Sequence, residues 1–184
     1  MGKNLYDEFR KMNKKLTAED ISMLPPLQLA YIGDAVYELF IRTYLMQSGL
    51  TVNELHKEAI GYVRAKAQSD IVHFLEQDLS EDEKGVVKRG RNAKSGSVPK
   101  NANLIDYKYA TGFETLVGYL YLTRQDQRIL ELFNKIVSNS WNWVAKYWWK
   151  NKGGNKMVSR LKVELLRYTP DGEKLVSSAA KLCY

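Results

Sequence analysis

Cysteine and long apolar runs are what this 184-residue sequence has least of. The single cysteine, Cys183, excludes an intramolecular disulfide and a cysteine cluster for zinc, and it fits a reducing compartment. No apolar stretch approaches the roughly 18–20 residues of a membrane-spanning helix, so we expect no membrane partner. The polar N-terminus, MGKNLYDEFRKMNKK, has no apolar segment of a secretory signal. These absences predict a cytoplasmic localisation.

Acidic residues are fewer than basic ones. The sequence has 21 Asp and Glu against 28 Lys and Arg, which gives a formal net charge of +7 at pH 7. Such a balance favours a polyanionic partner, and nucleic acid is the commonest one. Charge alone does not separate a nucleic-acid-binding protein from a protein that is merely basic.

Prolines number only 4, and the apolar residues follow helical spacing through most of the chain. Three segments have the spacing of a capping box, which satisfies free N–H groups at a helix start: Thr17–Asp20, Thr51–Glu54 and Ser80–Glu83. A short helix is predicted from Thr17 to just before Pro25. Further helices are predicted at about 27–47, 51–66, 69 or 70 to 76, 80–88, 105–122 and 126–149, with a loop at 89–103. The sequence therefore predicts the all-α class.

The composition changes near the C-terminus. KNKGGNK at 150–156 looks like a linker, and after it LKVELLRY has the pattern of a strand and EKLVSSAAKLCY that of a helix. One strand and one helix cannot bury their own apolar faces. This tail therefore differs in character from the helical body.

An acidic residue interrupts an apolar stripe in the segment LQLAYIGDAVYELFIRTYL. Positions 27, 30, 31, 34, 37, 38 and 41 share one helical face, so Asp34 is expected in the middle of a mostly apolar stripe. A buried charge costs several kcal/mol unless it is paired or binds a metal. Gly33 stands in a helix interior, where glycine costs about 1 kcal/mol relative to alanine. It predicts the close approach of another backbone or of a ligand.

The segment IDYKYATGFETLVGYLYL repeats the pattern with Glu114. The residues expected on the same face are Ala110, Thr111, Val117, Gly118 and Tyr121. Two such acids on helices that cross at small residues suit Mg²⁺, which prefers oxygen ligands and keeps several waters. The alternative is that both acids lie at stripe edges, where they face water or pair with Lys or Arg.

At these residues the chain resembles the ribonuclease III family. LAYIGDAVYE is similar to the signature helix of that family, TGFETLVGYLYL to its second active-site helix, and RGRNAKSG to the basic stretch between them. The resemblance covers roughly residues 27–135, with the motifs in the right order. It implies a ribonuclease III-like helical endonuclease domain, with the C-terminal tail outside the family pattern.

The sequence differs from the larger members of the family in two features, and both are similar to one branch of that family. The larger enzymes have a glutamate where this chain has Ala30 and an aspartate where it has Thr111, and no double-stranded-RNA-binding domain follows. Both features are similar to the compact bacterial branch, Mini-ribonuclease III. This resemblance implies a homodimer that acts on the 23S ribosomal RNA precursor, and it leaves the number of bound metal ions open.

The resemblance also implies a mechanism. Asp34 and Glu114 would hold Mg²⁺ and, with Lys94 near the scissile phosphate, would form the catalytic set of an endoribonuclease that leaves 5′-phosphate and 3′-hydroxyl ends. The expected RNA-binding residues are Lys88, Arg89, Arg91, Lys94 and Lys100. Double-stranded RNA, in the ribosomal RNA precursor or the ribosomal particle, is bound mainly through its backbone, which suits such a basic segment. The alternative is a solvated surface loop.

Other features indicate less. His56 and His73 have no partner at metal-ligand spacing and are expected to be structural or exposed. Glu38, one turn after Asp34, is either a residue that supports a metal ligand or a surface acid. The aromatic run WNWVAKYWWK is expected to end a packed helix, with stacking on bases or a membrane interface as alternatives.

The tail from Met157 resembles the first residues of flavin-dependent thymidylate synthase, in a piece too short to bind flavin or nucleotide. Read-through into a neighbouring gene would explain it, and an ordinary extension is the alternative. We predict three regions: an N-terminal lead-in at 1–23, the catalytic domain at 24–139, and an aromatic helix end, linker and foreign-looking tail at 140–184.

Two other functions are compatible with the same residues. The first is a non-catalytic RNA-binding or ribosome-assembly factor on the same fold, since two of the four family acids are missing. The second is a helical protein-interaction module, which would have no salt-dependent affinity for RNA. A nuclease assay with and without Mg²⁺ separates these functions from catalysis.

Overall fold

The computed structural model of the chain describes residues 8–10, 16–94 and 103–138. Within these ranges the secondary structure is helical and contains no strand, so the predicted all-α class is confirmed. Besides the helical residues 8–10, the elements are α1 (Ala18–Met23), α2 (Pro26–Leu45), a 3-10 turn (Met46–Ser48), α3 (Val52–Val63), α4 (Ala65–Leu75), α5 (Glu81–Arg91), α6 (Leu104–Leu122) and α7 (Asp126–Ser138). None of the helices described is long and apolar enough to cross a membrane.

The three predicted capping boxes are confirmed. At the start of α1, the backbone N–H of Thr17 donates to the Asp20 carboxylate (2.8 Å), and the Asp20 N–H donates to the Thr17 hydroxyl (3.1 Å). The same reciprocal pattern starts α3 at Thr51 and α5 at Ser80. Capping depends only on residues within one turn, which is why sequence spacing predicts it.

Three helix boundaries differ from those predicted by three residues or more. Helix α3 ends at Val63 rather than near Lys66. The fourth helix begins at Ala65, because the extended backbone of Arg64 (ψ 150°) separates it from α3. No side-chain cap marks that junction, and the buried stripe of α4 already starts at Ala67. Helix α5 continues to Arg91, so the first residues of the predicted loop are helical. Here packing of Gly90 against α6 extends the helix beyond the predicted end.

Helix α6 is the centre of the fold. It packs against α2, α4, α5 and α7. Between Ala110 and Tyr121 only Glu114 and Tyr119 are not buried. A helix that is apolar on all sides belongs in a core, and here its neighbours cover it almost completely. An acidic residue in this stretch is therefore unusual.

The remaining helices are joined to this centre by aromatic and ionic contacts. The Tyr37 ring meets Phe113 edge to face at 4.8 Å, and Phe40 stacks on Phe133 of α7 at 4.0 Å. The Arg128 guanidinium binds both carboxylate oxygens of Glu83 at 2.8 and 3.0 Å. These contacts hold α7 against α2 and the start of α5.

The chain divides into a unit of residues 1–138 and a unit of residues 139–184, and the second lies outside the described residues. The aromatic run, the linker and the tail from Met157 belong to that part, as does the predicted extension of the last helix toward residue 149. The boundaries at 1–23, 24–139 and 140–184 stay predictions.

Candidate active site

The site lies where α2 crosses α6. A Cβ atom on Gly33 would overlap the carbonyl oxygen of Glu114 and lie 2.7 Å from the backbone nitrogen of Gly118. A Cβ on Gly118 would likewise overlap the Leu29 carbonyl group. Only glycine allows backbones to approach this closely. The predicted close approach of another backbone at Gly33 is confirmed.

This crossing brings Asp34 and Glu114 into one electrostatic environment. Burial, followed by the negative charge of Asp34, raises the pKa of Glu114 from 4.5 to about 8. Two neighbouring carboxylates cannot both ionise without cost. The protonated form of Glu114 is therefore favoured below about pH 8 in the absence of a cation.

Asp34 does not lie in the middle of a buried stripe, and that expectation is wrong. The residue is exposed, while the buried face of α2 is centred on Leu29, Gly33 and Tyr37. The face is rotated because α6 covers the glycine side of α2, and within the described residues nothing covers Tyr31, which is 84% exposed. Asp34 therefore stands at the edge of the core, where solvent and a substrate can reach it.

Glu114 has the surroundings that its sequence pattern predicts. Its predicted face neighbours Ala110, Thr111, Val117, Gly118 and Tyr121 are all buried. Glu114 itself is partly exposed, so its carboxyl group reaches from the core to the surface beside Asp34.

Glu38 acts on Asp34 from one turn away. Burial and the charge of Glu38 both raise the pKa of Asp34. The Glu38 carboxylate accepts hydrogen bonds from the Arg42 guanidinium at 2.7 and 3.2 Å. This exposed pair favours the interpretation of Glu38 as a surface acid that adds negative potential to the site.

The donor set fits a divalent cation held by few protein ligands. Within the described residues no three side chains of His, Cys, Asp or Glu form a metal cage. Mg²⁺ typically takes one or two carboxylates and completes its octahedron with waters and substrate phosphate. Asp34 and Glu114 supply two carboxylates of this kind, and a bound cation would offset the burial and the charge of Asp34 that raise the pKa of Glu114.

The two positions where the larger family members have acids are built into the core. Ala30 is 6% exposed and Thr111 is 8% exposed. The Thr111 hydroxyl donates to the Tyr107 carbonyl group at 3.1 Å. Neither residue offers a charged ligand, so the described part of the chain supplies half of the family's carboxylates.

The predicted RNA-binding residues fall into three groups. Lys88 and Lys94 are exposed. The Arg89 guanidinium donates to the carbonyl groups of Ser22 and Leu24, and so ties α5 to the α1–α2 junction. Arg91 lies over the Tyr109 ring at 5.3 Å and donates to its hydroxyl group at 3.1 Å. Lys100 lies outside the described residues.

An open groove of about 600 Å³ runs between the α1–α2 junction and α5. Lys88, Arg89 and Asn92 line its α5 side, and Pro25 and Pro26 line the other. Both histidines are exposed at the surface. His56 is exposed on α3, and the His73 ring packs on Tyr109 at 4.4 Å.

Gln68 contributes to the site and was not anticipated from the sequence. It is 1% exposed on α4, and its side chain acts on the Glu114 carboxyl group, where it lowers the pKa against the larger effects of burial and Asp34. A signal for it exists. Gln68 shares helical spacing with Ile71, Val72 and Leu75, so it is a polar residue in an otherwise apolar stripe.

The chain matches the family model of the ribonuclease III domain over residues 27–125. It is 46% identical over 129 residues to Mini-ribonuclease 3 of Clostridium tetani, covering 69% of this chain and 85% of that one. It is 49% identical over 133 residues to Mini-ribonuclease 3 of a Thermoanaerobacter species, covering 70% and 94%. A crystal structure from Fusobacterium nucleatum is similar with a TM-score of 0.58 and 34% identity, covering 61% of this chain and 93% of that one.

The family match thus includes both crossing helices and extends over more than half of the sequence, and the named relatives are matched over most of their length. The chain therefore belongs to the ribonuclease III family, among proteins similar to Mini-ribonuclease 3, and is an endoribonuclease.

Proposed function

We propose that this endoribonuclease requires Mg²⁺, cleaves double-stranded RNA, and binds its metal ion through Asp34 and Glu114. The observation that carries the proposal is the electrostatic coupling of these two acids at a helix crossing. Like charges held together at the edge of a core are costly unless a cation binds between them. A divalent cation bound by both acids would explain why two carboxyl groups lie together at this position.

The proposed roles follow from exposure and charge. Bound Mg²⁺ would supply a Lewis acid that polarises the phosphodiester and lowers the pKa of an attacking water. Exposed Asp34 and the more buried Glu114 would hold the ion, and Glu114 must lose its proton to do so. Lys94 would neutralise charge that develops on the scissile phosphate. The expected products have 5′-phosphate and 3′-hydroxyl ends.

We propose that Lys88, Arg89, Arg91, Lys94 and Lys100 bind the RNA backbone. Exposure of Lys88 and Lys94, and the groove beside Lys88, support this role. Arg89 and Arg91 already have partners within the chain, so their guanidinium groups are held in place before RNA arrives. Contacts of this kind release counterions, and affinity should therefore fall with salt concentration.

We also propose a homodimer, in which each subunit cuts one strand. Leu27 and Tyr31 lie on the same side of α2 as Asp34 and are 39% and 84% exposed. Met23, at the end of α1, is 79% exposed. Large apolar side chains that lie together at a surface often mark an interface. A two-fold axis near them would bring two sites to one RNA duplex.

The proposed substrate is the 23S ribosomal RNA precursor, in the ribosomal particle, and the proposed location is the cytoplasm. The substrate is what the resemblance of the sequence to the compact bacterial branch implies, and the single cysteine fits the location.

Cleavage of a defined RNA duplex by the full chain, with Mg²⁺ and with EDTA, tests the proposal. Asp34→Asn should abolish cleavage in Mg²⁺ and leave duplex binding nearly unchanged. Asp82→Asn, an exposed acid on α5, is the matched control and should cleave like the wild type. Equal cleavage in EDTA, or near-normal turnover by Asp34→Asn, would refute the metal site.

A further inference from the structure

Gln68 is buried where a polar side chain is not expected. It lies on α4 with 1% of its surface exposed, among the core residues Ala67, Ile71 and Leu75. A buried side-chain amide is costly unless its polar atoms are hydrogen-bonded. The presence of a carboxamide at this buried position therefore requires an explanation.

The carboxamide is close enough to the Glu114 carboxyl group to favour its ionised form, but it makes no hydrogen bond of good geometry there. Within the described residues, neither its Oε1 nor its Nε2 atom is paired, although both are shielded from water. An unpaired buried amide loses its bonds to water and gains nothing in return, so it lowers the stability of the fold. An unsatisfied buried polar group in a folded protein calls for an explanation, such as a functional role or a bound water or ion.

The Gln68 side chain acts on the carboxyl group of Glu114. Helix α4 packs along α6, and the Gln68 carboxamide acts on the Glu114 carboxyl group in the direction that favours its ionised form. Burial and Asp34 act in the opposite direction. Gln68 is fully buried and Asp34 is exposed, so Gln68 acts on Glu114 from the core side and Asp34 from the open side.

We propose that Gln68 is a positioning residue, whose Nε2–H group donates a hydrogen bond to the ionised Glu114 carboxylate and holds it toward Asp34. The inference rests on the proposed function, because it assumes that both acids bind a metal ion. A ligand carboxylate is commonly oriented by a hydrogen bond from behind, and loss of such a partner typically weakens metal affinity or activity by about 10–100-fold.

Gln68→Met tests this role because methionine has a similar volume but no donor. Three quantities would be measured on the full chain: the thermal midpoint in EDTA, Mn²⁺ binding by calorimetry without RNA, and duplex binding in EDTA. We expect an unchanged or higher thermal midpoint, since an unpaired amide is removed. Mn²⁺ affinity should fall by about 10–100-fold, and duplex binding should stay within about two-fold of the wild type.

Ile71→Val, one turn along the same buried stripe, is the matched control for a general disturbance of α4. It should lower the thermal midpoint slightly and leave Mn²⁺ affinity unchanged. Mn²⁺ affinity of Gln68→Met within two-fold of the wild type would overturn the inference while leaving the proposed function intact. So would a loss of affinity that Ile71→Val shares equally. No saturable Mn²⁺ binding by the wild type would instead overturn the proposed function and this inference with it.

Discussion

Gly33 lies against the backbone carbonyl group of Glu114, one residue before Asp34. The contact means that the position of one acid depends on the absence of a side chain beside the other. Helices α2 and α6 can bring their carboxylates together only while their backbones touch at this point. Packing and the proposed chemistry therefore share the same glycine.

Gly33→Ala should damage stability and the site together. The new methyl group would overlap backbone atoms that no rotamer change can move, and overpacking of this kind costs about 1–3 kcal/mol. Urea unfolding measures the change, and Mn²⁺ binding should weaken in parallel. Gly85→Ala, at a helical glycine with open space around it, is the control and should gain roughly 0.5–1 kcal/mol. Equal stability of both variants would contradict the close crossing.

The raised pKa of Glu114 predicts a pH dependence of the metal-free protein. Between pH 4.5 and about 8 the folded state holds a proton on Glu114 that the unfolded state has lost. Stability should therefore decrease as pH rises through this window. Urea unfolding in EDTA should show this decline in the wild type relative to Glu114→Gln, which has no proton to lose. Parallel profiles for the two proteins would refute the shift.

Metal binding should show the opposite pH trend. Glu114 must be ionised to bind a cation, so binding below pH 8 releases a proton. Stabilisation by Mg²⁺ should consequently increase as pH rises toward 8 in the wild type. In Glu114→Gln this increase should disappear.

Tyr31→Arg should disrupt the proposed homodimer. Tyr31 is 84% exposed within the described residues, and a charge in the centre of an apolar interface is costly when desolvated. Light scattering after size-exclusion chromatography should give a monomer mass for this variant and a dimer mass for the wild type. Val52→Arg, at another apolar residue that is 81% exposed, is the control and should stay dimeric. A monomeric wild type would exclude the dimer.

Lys88→Ala should weaken RNA binding through electrostatics. If Lys88 neutralises one phosphate, the slope of log affinity against log salt should decrease by roughly one unit. Lys135→Ala is the control, because the Lys135 ammonium group is already paired with Asp78 on the same molecule. An unchanged slope for Lys88→Ala would show that Lys88 does not bind an RNA phosphate.

Local features of this fold could be predicted from the sequence. The capping boxes at Thr17, Thr51 and Ser80 depend on residues three positions apart, and all three form. The acids at 34 and 114 stood out because charge and glycine occur together in apolar helices. The all-α class follows from the same spacing.

Features that depend on tertiary packing were harder to predict from the sequence. The exposure of Asp34 depends on which side of α2 faces α6, and helical spacing alone gave a face that included the uncovered Tyr31. The break at Arg64 has no glycine, proline or capping side chain to mark it. Gln68 was missed because its relation to Glu114 joins two helices that are distant in sequence.

A crystal of the full chain soaked in Mn²⁺ tests the central proposal most directly, because anomalous scattering locates the ion. We expect one peak between the carboxyl groups of Asp34 and Glu114, and its loss in crystals of Asp34→Asn. The assignment of these two acids would be contradicted if the protein cleaves duplex RNA with Mn²⁺ but the anomalous peak lies elsewhere. It would also be contradicted if the peak is undiminished in crystals of Asp34→Asn.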